Sequence, residues 1–149
     1  TLIALGGKQP FKVHINTIMD YSFFWIISLY EYYKTYGDKD FLEQIQDQMK
    51  AVMDFCLERR DEDGFMRGKP GDWVFIDWAP MDKTGALCGE QILFAKAMEC
   101  YAAICAVIGR DDRGLGGEAE KLRSRSFEKF LRYREKGILS TVTSLVNET

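Results

Sequence analysis

The chain has 149 residues, 46% of them apolar and 29% charged, with a formal net charge of −3. That is enough for one domain or part of one with a real core, and the composition excludes the disordered class. No uninterrupted apolar run reaches the roughly 18 residues that cross a bilayer, and dispersed basic residues under net acidity give nucleic acid no electrostatic footprint, so neither membrane nor nucleic acid is an expected partner.

In chain order, residues 20–36 come first, apolar on nearly every side: Tyr21, Phe23, Phe24, Trp25, Ile26, Ile27, Leu29, Tyr30, Tyr32 and Tyr33. Such a helix is expected to be buried between layers. Gly37 supplies a left-handed stop, and Asp38 is placed to cap a second helix that begins at Asp40 or Phe41. There Phe41, Ile45, Met49, Val52 and Cys56 recur at helical spacing, leaving Glu43, Gln44, Asp47 and Lys50 on the wet side. This second helix is amphipathic, as an outer-layer helix would be.

Residues 61–64, Asp-Glu-Asp-Gly, break the pattern. Their ligand spacing is incomplete for a calcium loop, so a solvated turn is expected. Residues 65–83 then carry Gly, Pro and β-formers and read as a long loop or short β-hairpin. Connections above about 12 to 15 residues tend to be functional. A third helix runs from near Gly85 to Gly109, with Leu87, Phe94, Met98, Tyr101, Cys105 and Ile108 on one face. A fourth covers about 117–134 through Ala119, Leu122, Ser126, Phe130 and Tyr133. Gly114, Gly116 and Gly117 follow no strand and read as a helix connection rather than a dinucleotide loop.

The junctions at 36–40 and 108–112 both order helix, glycine, acid, base and acid, which points to repeated helical hairpins. Such hairpins stack as a solenoid or close into a toroid, with one dense inner and one amphipathic outer helix per repeat. Two hairpins are too few to close a toroid, so a larger assembly is expected.

The chemistry-bearing stretch is 71–80, where Asp72, Trp73, Asp77 and Trp78 fall within ten residues. An indole stacks on the C–H face of a pyranose while a carboxylate accepts hydrogen bonds from its hydroxyls. The competing reading is a loop whose tryptophans plug the top of a helical core. Glycoside hydrolysis needs two carboxyl groups about 5 to 5.5 Å apart for retention or about 6.5 to 9.5 Å for inversion. Asp72, Asp77, Asp82 and Glu90 qualify by type, yet in an extended segment Asp72 and Asp77 face opposite sides, and no pair is nominated. Glu90 and Gln91 read as a helix start, where negative charge favours the dipole. Cys56, Cys88, Cys100 and Cys105 form no CxxC pair, and His14 is the sole histidine. No metal site, disulfide framework or hydrolase triad is assembled.

Residues 14–18 (His-Ile-Asn-Thr-Ile), Asp20-Tyr21-Ser22, Trp25, Tyr36-Gly37-Asp38-Lys39, Gly71-Asp72-Trp73 and Asp77-Trp78 together resemble bacterial α-L-rhamnosidases over about residues 8–136. The resemblance implies an all-α chain whose hairpins form part of an (α/α)6 toroid. It also implies a pocket for terminal L-rhamnose opened with inversion by an activated water, and no obligatory metal or cofactor. It places the general acid in a Glu-Arg segment before Gly-Trp-x-Gly-Asp, N-terminal to this region, and the general base well C-terminal to Gly-Asp-Trp. Neither catalytic carboxylate is therefore expected here, and the isolated chain is expected to be inactive. The residues carried over are Asp72 as hydroxyl acceptor and Trp73 as stacking face, with Asp77 and Trp78 as neighbours and Asp20 and Tyr21 at the rim.

Residues 138–149 are small, polar and β-branched, an atypical tail against that pattern, and the start at Thr1 reads as a processed, cloned or truncated boundary. The expected domain is thus residues 1–149 as a partial catalytic domain of about two hairpins, self-associating in isolation through uncovered inner-helix faces. Periplasmic, secreted and cytoplasmic locations all remain open. Another (α/α)6 glycosidase, glucoamylase-like or trehalase-like, is the alternative enzyme, and a helical-repeat interaction module with a Trp73/Trp78 patch is the non-enzyme alternative.

Overall fold

The computed structural model describes residues 18–73 and 85–135, with side chains as far as Phe130. Five helices and no strand occur among them: α1 (Met19–Tyr36), α2 (Lys39–Gln44), α3 (Gln46–Leu57), α4 (Cys88–Ile108) and α5 (Leu115–Glu135). The chain is all-α, as the periodicity predicts. Two hairpins result, α1 with α2 and α3, then α4 with α5.

The hairpin turns are built alike. Gly37 (φ 67°) and Gly109 (φ 69°) both end their helices in the left-handed region, where an L side chain is strained. After Gly37, Asp38 accepts the Phe41 N–H at 3.0 Å and the Tyr32 hydroxyl at 3.0 Å, so one carboxylate caps α2 and ties it to α1. After Gly109 the capping acid is Asp112, which accepts the N–H groups of Gly114 (3.1 Å) and Gly116 (3.0 Å). The repeat is therefore one of geometry, with the capping acid displaced along the chain.

The second helix departs from its expected course. It starts at Lys39 and breaks at Ile45 (φ −105°, ψ 8°), giving α2 and α3 in place of one helix. The break turns the buried stripe, so Leu42, Met49, Met53 and Cys56 are buried while Phe41, Ile45 and Val52 lie only partly covered. Helix α1 is not covered all round either. Met19, Phe23, Ile26 and Leu29 face the core, but Tyr21 and Phe24 are more than half exposed.

Helix α4 forms the centre of the core. It is long and apolar enough to cross a membrane by length and composition alone, and here its apolar surface is divided between α1 and α5. Helices α1 and α4 run parallel: Phe23 meets Phe94 at 5.1 Å near their starts, and Glu31 and Lys34 lie beside Cys100 farther along. Helix α5 returns antiparallel on α4, where Gly116 packs beside Ala102 and Arg123 pairs with Glu99. The parallel pair brings the N-termini of α1 and α4 to one end of the molecule.

Residues 61–64 form the expected turn, in which Asp61 accepts the Phe65 N–H at 2.8 Å. Beyond it the described part of the 65–83 segment, residues 65–73, makes two isolated bridges, Arg60 with Met66 and Ile18 with Trp73.

Candidate functional site

Helix α1 begins without a side-chain cap at Ile18. The Trp73 carbonyl instead accepts the Met19 N–H at 3.1 Å, satisfying one of the orphan donors of a helix start. The bond fixes Gly71-Asp72-Trp73 against the first turn of α1, which carries Asp20 and Tyr21.

Asp72 is held from two sides. Its Oδ2 accepts Arg59 Nε at 2.7 Å and the Lys69 N–H at 2.8 Å, leaving Oδ1 outside both bonds. The two charged side chains are 9% and 10% exposed. Arg59 is fixed in turn by the Phe55 carbonyl (2.9 Å) and by the Phe55 ring, whose centroid is 3.4 Å from the guanidinium carbon. Gly68 (φ 70°) takes the left-handed turn that folds the chain around this carboxylate, a conformation that strains an L side chain. Next to it Trp73 is 57% exposed, and Tyr21 is 54% exposed. An exposed indole thus adjoins a buried, anchored carboxylate in the chain, and an exposed phenol lies on the first turn of α1.

Helix α4 supplies the floor. Gln91 is wholly buried and bonded at both amide ends, accepting the Met66 N–H (2.7 Å) and donating to the Met66 carbonyl (2.9 Å). This clamp holds the loop residues onto α4. Glu90 is also wholly buried, but neither carboxyl oxygen has a hydrogen-bond partner. Burial first, then the charges of Asp20 and Asp72, push its pKa up to about 8. Asp20, itself buried, Asp72 and Glu90 therefore form one carboxyl cluster at the joined N-termini of α1 and α4. Among the described residues no group of three or more His, Cys, Asp or Glu side chains is arranged to hold a metal ion.

An anchored carboxylate next to an exposed indole suits a polyhydroxylated ring. A family model, the bacterial alpha-L-rhamnosidase 6 hairpin glycosidase domain, matches residues 9–147. The chain belongs to that family. The match continues past Lys136 into the atypical C-terminal stretch, and a search of curated proteins returned no match.

Within this rhamnosidase-family chain, four of the six residues expected at a sugar pocket, Asp20, Tyr21, Asp72 and Trp73, lie at one end of the molecule, joined by the Met19–Trp73 bond. Asp77, Trp78 and His14 lie outside the described residues. Glu90 is the residue that sequence reasoning undervalued. It does sit in the first turn of α4, as a dipole-favoured acid would, yet its carboxyl is turned into the protein. The available signal was the Glu90-Gln91 pair opening a largely apolar helix.

Glu90 makes stability fall as pH rises. Its folded pKa lies above the unfolded value, so the folded state binds more protons between pH 4.5 and about 8. Unfolding free energy is expected to drop across that window, by up to about 1.4 kcal/mol per pH unit, and to level off above it. Urea titrations of wild type and Glu90→Gln at pH 5, 6.5 and 8 test this. A variant with the same slope as wild type would remove Glu90 as the source.

Proposed function

We propose that this chain is part of the catalytic domain of an inverting glycoside hydrolase acting on terminal α-L-rhamnose. It supplies substrate-pocket wall, while the general acid and base and the remaining hairpins come from outside these residues. Trp73 and Tyr21 are the stacking faces, and Asp72 and Asp20 take the sugar hydroxyls. The observation that carries the reading is the hydrogen bond from Met19 N–H to the Trp73 carbonyl. It sets an exposed indole and an anchored carboxylate at the starts of two parallel helices, within the bacterial alpha-L-rhamnosidase 6 hairpin glycosidase family.

The test is Trp73→Ala in the full-length enzyme. The side chain is 57% exposed and the bond to Met19 uses its backbone, so the fold should survive. Affinity for an L-rhamnoside should weaken by about tenfold or more, equivalent to about 1.4 kcal/mol. Unchanged kinetics would take Trp73 out of the pocket. A panel of aryl glycosides run on the wild type would separate a rhamnosidase from a glucoamylase-like or trehalase-like enzyme on the same architecture.

A further inference from the structure

At the end of the molecule opposite the sugar site, where α4 finishes against the start of α3, the two hairpins enclose a cavity of about 380 Å³. That volume lies within the range of small-molecule clefts. Ile108, on its wall, is about 27 Å along α4 from Glu90. The two places are therefore separate. The floor consists of Met49, Tyr101 and Cys105, all buried, with Ile108 half-buried at the side. A thioether, a thiol and a phenol ring make a soft, polarisable surface that suits a flat apolar group.

The rim is charged and spans both hairpins. Arg113 reaches from the α4–α5 turn to Asp54 of α3 at 2.6 Å and also donates to the Tyr101 hydroxyl. Among the described residues it is the one non-glycine residue in the left-handed region (φ 58°), a strained conformation of the kind found at ligand clamps. Lys50 closes on the same Asp54 carboxylate at 2.6 Å. Asp111 turns to its own loop and accepts the Arg113 N–H at 2.9 Å. Arg110 is held differently, for its Nε donates at 2.6 Å to a neutral group, the Gln46 amide oxygen. No carboxylate pairs with it among the described residues, and the rest of its planar fork of donors suits a carboxylate. Asp47 and Asp111 line the same rim, so one negative charge is accommodated beside Arg110 and a dianion such as phosphate is repelled.

We propose that this cavity is a second binding site, for a small aromatic monocarboxylate, whose ring lies on Met49, Tyr101 and Cys105 and whose carboxylate takes the Arg110 guanidinium. The site stands apart from the sugar-pocket reading and does not depend on it. No covalent step is involved. Because its walls come from both α3 and the end of α4, the bound ligand ties the two hairpins together.

Calorimetric titration of the full-length protein with 3-phenylpropionate, with and without saturating L-rhamnose, tests this against the neutral 3-phenylpropionamide. The acid should bind in the millimolar range or tighter, at least about fivefold better than the amide, and equally well with rhamnose present. Arg110→Gln should erase the preference for the acid, since it leaves the backbone bond from residue 110 to the Cys105 carbonyl in place and removes only the charge. Ile108→Trp, which fills the cavity, should remove binding of acid and amide together. If that variant does not fold, Arg110→Gln on the exposed rim still decides. Equal binding of acid and amide, no saturable binding of the acid up to about 10 mM, or an unchanged preference in Arg110→Gln overturns the proposal and leaves the sugar reading standing. Displacement of the acid by rhamnose would put it at the starts of α1 and α4, and overturns the proposal as well.

Discussion

Truncation of Phe94 to alanine is expected to destabilise the protein by about 3 to 5 kcal/mol, the usual range for losing a fully buried aromatic ring and leaving a cavity. Phe94 is wholly buried and packs on Phe23 at 5.1 Å, where α1 and α4 meet. A loss of that size is a large share of the roughly 5 to 15 kcal/mol that holds a domain together. The contact also positions the site, since Asp20 and Glu90 each lie one turn N-terminal to these rings. Urea denaturation of Phe94→Ala beside Phe127→Ala provides the check, because Phe127 is 64% exposed and its loss should stay within about 0.5 kcal/mol. Equal destabilisation by the two variants would mean that the α1–α4 seam is not the core.

What was legible in the sequence was local. Gly37 and Gly109 mark their helix ends because the left-handed conformation favours a residue without Cβ, and Asp38 caps because its carboxylate reaches the Phe41 N–H from the adjoining turn. Each signal lies within a few residues of its effect. The break at Ile45 was not legible, since Phe41, Ile45 and Met49 fit an unbroken helix as well as a broken one. Only packing against α1 and α4 selects Leu42 and Met53 for burial. The site divides the same way. Residue types nominated Asp72 and Trp73, and the family resemblance added Asp20 and Tyr21. The bond that joins them, Met19 N–H to the Trp73 carbonyl, is backbone to backbone and leaves no trace in side-chain identity. Glu90 was hidden by a reason that remains true, its place in the first turn of α4. Its inward direction depends on Phe23 and Phe94 meeting across two distant segments.

Asp72→Ala is expected to destabilise the fold by about 3 to 5 kcal/mol, because it strands a buried cation. Arg59 is only 10% exposed and is held in place by the Phe55 carbonyl and ring, so it cannot follow its lost partner into water without giving up those contacts. The Lys69 N–H loses its acceptor as well. Asp72→Asn keeps an oxygen for one of these donors while leaving the charge of Arg59 unbalanced, and should fall between the variant and wild type. The double variant Arg59→Met with Asp72→Leu removes both charges and should recover much of the stability, since well-packed apolar residues often replace a buried pair at little cost. The same double variant in the full-length enzyme should still bind L-rhamnosides poorly. Stability that returns while affinity does not would assign Asp72 two separable roles, with Oδ2 anchoring the loop through Arg59 and Lys69 and Oδ1 accepting a sugar hydroxyl. If affinity returns together with stability, Asp72 acts on the pocket only by positioning Trp73. A change below about 1 kcal/mol in Asp72→Ala, within the range of a solvated surface pair, would mean that water reaches Arg59 and that the anchor is weaker than its geometry implies.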